Sequence, residues 1–485
     1  MTFIPTQKNQ KGSFGELITA HKTPIVQIAN KYQIDPSELE DLEVFESTGG
    51  TADNSNNLFR CQTGTSVGGY GVVRSKETLN YRPGQGVEGQ ITASFTSGIA
   101  TSLQFAGMFN LTDTVAFGFN GSDFSVIHEY GGKAEVQEIE VTVTGAGTCT
   151  VTLDGTASSG ISVSSSISLA TNAREIADGL KADALANSWR FQQVGAKVFC
   201  VAKTTGNKTG SMSISGGVTA TITEKTTGVS KTSNNIAQSS WNRKTSPFDG
   251  FDPTKLNLYK IQFGYLGAAN INFFIYNPNN ENFVLVHSIE WANNYNISNI
   301  GKPNLKIGWT SASLGSSGTN LIVTGVSASI MLEGDEVIKN NTFADSDIVT
   351  SVGTSYVPLI TLKNRIIYGD KYNLGKIFPL RISIDNEHNK GLIIQVLRNT
   401  TLGGTINYNY VNEFNSIALI DKTATSLSGG DLIDAFTVPS NSDVILDLTI
   451  LKTELLPDDI FTISARTISA TATNTTVTIS WKEEK

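Results

Sequence analysis

Alternation with a period of two constrains this chain more than any other feature. Val87, Gly89, Ile91, Ala93 and Phe95 alternate with Glu88, Gln90, Thr92, Ser94 and Thr96. The pattern returns at Leu103, Phe105, Gly107 and Phe109, at Val115, Phe117 and Phe119, and at Phe124, Val126 and His128. A strand with one buried and one wet face repeats every second residue, whereas a helix repeats near 3.6. Turns such as "NLTD" and "NGSD" separate the runs. Short strands with regularly spaced turns point to an antiparallel sandwich or barrel.

The alternation also settles the meaning of "YRPGQGVEGQ". Gly84, Gly86 and Gly89 have the G-x-G-x-x-G spacing of a dinucleotide-binding turn. Such a turn works by ending a strand and opening a helix, whose N-terminus holds the pyrophosphate. Here Pro83-Gly84 reads as a turn and a strand follows, so Gly89 marks a bulge or a close backbone approach. No cofactor is expected.

Along the chain the strands group into blocks. Residues 1–45 read as an N-terminal docking arm, with a short strand in "TPIVQIANKYQI" and a helical turn in "DPSELEDLEVF" capped by Asp35 or Ser37. Residues 46–133 and 236–336 form a first β-sandwich, its last strand in "VTGVSASIMLEGD". Residues 134–235 form a small α+β domain inserted into a loop of that sandwich. Residues 337–485 form a C-terminal β-sandwich with six or more strands. The insert is marked by composition: no aromatic occurs from 131 to 188, or from 202 to 240. Within it, "EIEVTVTGAGTCTVTLDG" reads as a hairpin turned at Gly145 to Gly147, and "FQQVGAKVFCVAK" and "GSMSISGGVTATITE" as two more. "NAREIADGLKADALANS" is its helix, with Asn172 and Glu175 as a capping pair. The expected fold class is all-β, with two antiparallel, jelly-roll-like sandwiches, the first carrying the insert. A length of 485 residues gives each block enough chain for its own core.

Charged residues make up 16% of the chain, against ~25% in ordinary globular domains, and the net charge is −8. With no Lys/Arg cluster, neither nucleic acid nor an anionic membrane is an expected partner. No apolar h-region opens the chain and no run of 18 apolar residues occurs. Cys61, Cys149 and Cys200 are too scattered for a disulfide framework or a zinc site. A single Cys149–Cys200 bridge is conceivable, but two reduced, half-buried thiols and synthesis in a reducing cytoplasm are the preferred reading.

Candidate chemistry is sparse. Among His21, His128, His287 and His388, His287 shares a strand face with Phe283, Leu285, Ile289 and Trp291, and His128 with Phe124 and Val126. Two such residues meeting across a sheet would suit a metal or a base, while hydrogen-bonded histidines in an aromatic sheet are the plainer reading. Glu38 and Glu40 would share a face on a strand, as a glycosidase pair must, but Pro36-Ser37 favours a helical turn there. "DGFDPTK" and "NPNNEN" carry calcium-type oxygens and are equally ordinary turns. "SLGSSGTN" falls short of a G-x-S-x-G elbow. The N-x-S/T triplets at Asn110 and Asn399 are expected by chance. No catalytic, cofactor-binding or metal-binding residue is assigned.

Several segments carry a resemblance: "YRPGQGVEGQITASFTSGIATSLQFAG", "FGFNGSDFSVIHEYGG", "SSWN", "DPTKLNLYKIQFGYLG" and "ENFVLVHSIEWAN". In this order they resemble surface structural proteins, of the capsid-decoration and fibre type, of tailed bacteriophages and large DNA viruses. In those proteins RPGQG opens a strand and SWN soon follows the Gly-rich hairpin. Here an extra domain separates "HEYGG" from "SSWN". "GLIIQVLRNTTLGGTINYNYVNEFNSIALIDKTA" resembles their C-terminal sandwich, and "EVTVTGAGTCTVTLDG" followed by a helix is similar to small modules of phage tails and fibres. The likeness spans most of residues 60–485 and brings no catalytic set. It implies a non-enzymatic virion protein made in the host cytoplasm and displayed as capsid decoration, neck or tail fibre. A homo-trimer is the expected assembly, and the polar, poorly patterned N-terminal arm is the expected contact with other virion proteins. Binding a host-surface glycan is the alternative role, and a polysaccharide depolymerase a more distant one.

Overall fold

A computed structural model describes residues 22–30, 42–47, 49–79, 83–164, 168–264, 266–315, 318–334, 341–386, 390–451, 453–469 and 472–485. The backbone divides into two compact units, Met1–Gly132 with Ser230–Val337, and Lys133–Val229 with Ile338–Lys485. The segment that interrupts the first sandwich in the chain is thus grouped with the C-terminal sandwich. Apart from one α-helix and short 3₁₀ turns, the regular elements among the described residues are strands, and their pairings are antiparallel. The fold is all-β and of sandwich type.

The first unit stacks a nine-stranded sheet on an eight-stranded one. Gly86–Phe95 lies centrally in the nine-stranded sheet, pairing with Asn257–Gly264 on one side and with Ser327–Glu333 and Ile322–Gly325 on the other. Its alternation has the expected cause: Val87, Ile91, Ala93 and Phe95 are buried in the core. The facing sheet runs from Asp123–Tyr130 through Thr114–Asn120, Ser102–Phe109, Lys306–Ser313 and Tyr70–Ser75 to Leu42–Ser47. Phe59, Phe117, Tyr259, Phe273 and Trp309 fill the space between the sheets. Phe117 meets Tyr259 at 4.9 Å and Phe273 edge-on at 5.4 Å, the tilted geometry that aromatic quadrupoles favour.

Two expectations change here. The last strand of this sandwich is two strands, Ile322–Gly325 and Ser327–Glu333, broken at Val326. Thr92 Oγ1 accepts from both the Val326 and Ser327 amides. Trp309 crosses beneath Gly325, where an added Cβ would lie 2.1 Å from the indole nitrogen. The expected arm also contributes to both sheets. Lys22–Ala29 pairs with Ser327–Glu333, and Leu42–Ser47, expected at the end of a helical turn, pairs with Tyr70–Ser75. Asp35 and Ser37 lie outside the described residues.

In the second unit the insert builds two four-stranded sheets and the helix Leu169–Ala182. Of its three expected hairpins, Trp189–Val194 with Lys197–Thr205 is one. The other two are not. Ala134–Val143 pairs with Thr219–Thr226, while Gly147–Leu153 pairs with Ser213–Ser215. Both chain segments therefore pass from one sheet to the other at their glycines. They touch there: a Cβ on Gly145 would lie 1.9 Å from the Gly217 carbonyl. The helix starts earlier than expected, capped by Ser168, whose side chain accepts from the Thr171 amide. Asn172 lies inside the first turn, fully buried, and bonds Ser164, Glu175 and the Gly145 amide. Ile176, Ala177 and Leu180 face the insert's core.

The C-terminal sandwich stacks a four-stranded sheet on a six-stranded one around Leu362, Ile382, Ile394, Ile463, Ile479 and Trp481. Polar contacts join the insert to it. The Ile366 amide donates to Gln192 Oε1 at 2.8 Å, Arg174 donates to the Gly404 carbonyl at 2.7 Å, and the Arg190 guanidinium lies 5.1 Å from the Tyr372 ring centre.

Candidate functional site

The glycine motif is a packing device. The strand Gly86–Phe95 occupies the place of the helix that a phosphate turn requires. At Gly89 an added Cβ would meet Met108 Sδ at 2.8 Å, so the missing side chain makes room for a thioether from the opposite sheet.

Beside it, on the outer face of the same strand, Glu88 is only 2% exposed. Lys22 lies 2.7 Å and Lys260 3.7 Å from its carboxylate. Burial alone would raise this carboxyl; Lys260 and Lys22 outweigh burial and hold it below the usual range. The Lys260 ammonium lies 4.4 Å from the Phe274 ring centre and 4.5 Å from that of Phe283. The carboxylate is thereby committed to fastening Lys22–Ala29 to the sheet.

His287 explains why "SSWN" sits where it does. The Asn242 amide donates to His287 Nδ1 at 3.1 Å, and the Asn242 side chain both donates to the Ser288 carbonyl and accepts from its amide. Trp241 packs on Phe117 and Phe124. Burial first, then the nearby Arg243 cation, push the His287 imidazole down to about 4, so it is a neutral acceptor. Its strand face differs from the sequence reading. The register slips between Phe273 and Phe274, so His287 pairs with Phe273 and Leu285 with Phe274. The slip turns Phe283 and Leu285 away from His287, and Trp291 lies beyond the strand's end at Ile289.

His128 anchors a loop instead. It is fully buried, and its Nε2–H donates to the Asn299 carbonyl at 2.7 Å. Because a carbonyl only accepts, that bond fixes the tautomer and leaves Nδ1 as a bare lone pair, with no hydrogen-bond partner among the described residues. Burial outweighs the carbonyl contact and the Asp113 and Glu129 charges, and lowers its proton affinity. Asp113, also fully buried, accepts from the Gly301 amide at 2.8 Å and the Lys302 amide at 3.2 Å. Asn110 donates to the Lys302 and Asn304 carbonyls, and Asn299 to the Ala269 carbonyl. Four side chains thus fasten residues 299–304 to the sheet.

From His128 a ladder of rings runs outward. His128 stacks on Tyr130 at 4.9 Å, Tyr130 meets Trp291 edge-on at 5.1 Å, and Trp291 stacks on Tyr295 at 3.9 Å and 17°. Trp291 is fully buried and donates to the Ile297 carbonyl at 2.6 Å. The Asn294 and Tyr295 amides turn back onto the Trp291 carbonyl. Tyr295 and Ile297 end the ladder at 48% and 54% exposure. Sequence reasoning assigned no role to this pair. The available signal was the i, i+4 spacing of Trp291 and Tyr295 in an Asn-rich turn, whose left-handed Asn293 (φ 64°) lets the Tyr295 amide fold back onto the Trp291 carbonyl.

The other candidates resolve into structure. His128 and His287 each keep their own partners. Among the described residues no group of three or more His, Cys, Asp or Glu side chains is placed to hold a metal ion. Asp252 accepts from the Thr254 amide and hydroxyl, and Asn277 and Asn280 from the amides two residues on, so both calcium-type segments form Asx turns. The three cysteines are free and fully buried rather than half-buried, and burial pushes the Cys149 thiol up to about 11. His21, His388, Glu38 and Glu40 lie outside the described residues.

No protein-family model matches the chain, and no curated protein matches it in sequence. Among solved structures, a chain of the T13 IBDV viral particle aligns over 82% of this chain and 77% of its own length, at 8% identity and a TM-score of 0.13. A score that low carries no structural argument.

Proposed function

We propose that this chain is a non-enzymatic structural protein of a virion exterior, displayed as capsid decoration, neck or tail fibre and assembled as a homo-trimer. One observation carries the non-enzymatic part: among the described residues of the first sandwich, both histidines and the buried acids Asp113 and Glu88 are spent on fastening. His128 and Asp113 hold the 299–304 segment, His287 holds the "SSWN" turn, and Glu88 holds a strand. An acid or base must reach its substrate's proton, and these side chains are enclosed. Each is bonded to a fastening partner, and the one bare nitrogen, His128 Nδ1, is sealed in the core. The virion assignment rests on the sequence resemblance.

The test is a density map of the purified particle together with sedimentation of the isolated chain. The expected results are this fold on the particle exterior and an assembly of three 51.9-kDa copies. Absence from the particle would overturn the placement, and a monomer would overturn the trimer. Removing residues 1–21 tests the arm without touching the strand at Lys22; assembly unchanged by that deletion would end the docking role.

A further inference from the structure

We propose that the 291–298 loop is a binding site for a neutral saccharide, with Tyr295 as its stacking platform. Three observations carry this. First, the platform is preorganised. Trp291 backs the Tyr295 ring at 3.9 Å, and the loop is pinned through the Ile297 carbonyl on one side and through Asn299, Gly301 and Lys302 on the other. A ring held this way loses little conformational freedom when a ligand stacks on its open face.

Second, the loop's chemistry is uncharged. From Trp291 to Gly301 the chain carries no Asp, Glu, Lys, Arg or His. Of the charges that flank this stretch in the chain, Glu290 is paired with Arg243 at 2.5 Å, and the exposed Lys302 lies four residues beyond Ser298. Within the 291–298 loop itself a phosphate, an acidic peptide or a basic peptide would find no counter-charge.

Third, the exposed rim at Asn293, Asn296 and Ser298 is built of amides and a hydroxyl, each offering both donors and acceptors. Vicinal sugar hydroxyls need that mixture, and the C–H face of a pyranose suits the tyrosine ring. Ile297 widens the apolar floor. A lone shallow platform binds weakly, on the order of millimolar, and display in several copies raises the avidity ~100-fold or more. The proposal rests on this loop and not on the chain's place in a particle.

The experiment uses the full chain. A glycan array identifies binders, and saturation-transfer NMR with free glucose, galactose, mannose and N-acetylglucosamine reads contact to the protein. Wild type is expected to bind neutral glycans. Tyr295→Ala should weaken binding at least ~10-fold without loss of fold, as for a central contact residue. Tyr295→Phe, which keeps the ring, should stay within ~3-fold of wild type, and Phe414→Ala, an exposed aromatic of the second unit, should change nothing. The proposal is overturned by a wild-type chain that binds no glycan, by Tyr295→Ala binding as wild type does, or by a particle map in which another protein covers Tyr295. The first two results would leave the structural role standing, and absence from the particle would leave this site standing.

Discussion

The first sandwich and the C-terminal sandwich solve the same packing problem with different side chains. The first fills its core with rings, among them Phe59, Phe117, Tyr259, Phe273, Trp291 and Trp309. The second fills its core with Ile, Leu and Val, with Phe461 and Trp481 as its large rings. Their buried polar groups differ too. The first unit fastens loops with neutral or singly charged side chains bonded to backbone, as Asp113 and Asn110 do. The second buries the lysines Lys363 and Lys376 themselves, beside more exposed carboxylates, together with Glu483, whereas the first buries the carboxylate Glu88 between the less buried Lys22 and Lys260. Lys376 lies 2.7 Å from Glu454, Lys363 2.6 Å from Asp458, and Glu483 accepts from Ser416, Trp481 and the Ile417 amide. Rings are large and directional, so a chain of them reaches from the core to the surface at Tyr295. An aliphatic core with an ionic fringe offers no such path.

That contrast can be broken by substitution. Trp309→Ala should have the largest effect, about 4 kcal/mol in chemical denaturation, because it removes a buried ring that also donates to the Thr92 carbonyl. In the second unit Glu483→Ala should cost about 3 kcal/mol, since it strands three buried donors. A cost under ~1 kcal/mol there would mean that the ionic fringe contributes little to stability.

The pH dependence should separate the units more finely. His287 titrates near 4 when folded and near 6.5 when unfolded. Between those values the unfolded chain binds more protons, so the contribution is complete above about pH 6.5 and is lost as pH falls toward 4, for a total on the order of 3 kcal/mol. His128 shifts the same way. Both lie in the first unit, while carboxylates such as Glu88 act at lower pH. Melting followed from pH 6.5 to 4.5 should weaken the first unit, and His287→Gln should flatten the slope; an unchanged slope would mean that His287 is already hydrated. Tyr295→Ala should have the smallest effect on stability, within about 0.5 kcal/mol, because half of its surface already faces solvent.

The sequence made much of the first unit readable because strand alternation is local. Val87 to Phe95 shows its buried face without reference to any partner. Pairing is not local. Lys22 meets Glu333, and Val136 meets Thr226, across stretches of chain that no pattern spans. Two hairpins of the insert were misread for this reason, since adjacency in sequence stood in for pairing across the sheet-to-sheet step at Gly145 and Gly217. The bulge between Phe273 and Phe274 was equally invisible, and it reversed the faces assigned to Phe283 and Leu285. At the loop, the rings of Trp291 and Tyr295 were visible in the sequence. The fastening was not, because Asp113 and Gly301 lie 188 residues apart.

Buried polar groups of the first sandwich fasten the 299–304 segment beneath the exposed Tyr295 loop. Hydrogen exchange at the Gly301 and Lys302 amides tests it most directly, comparing wild type with Asp113→Ala. The account expects strong protection in wild type, a loss of at least ~100-fold in the variant, and core strands such as Gly86–Phe95 still protected. Equal protection at Gly301 and Lys302 in both proteins would contradict it.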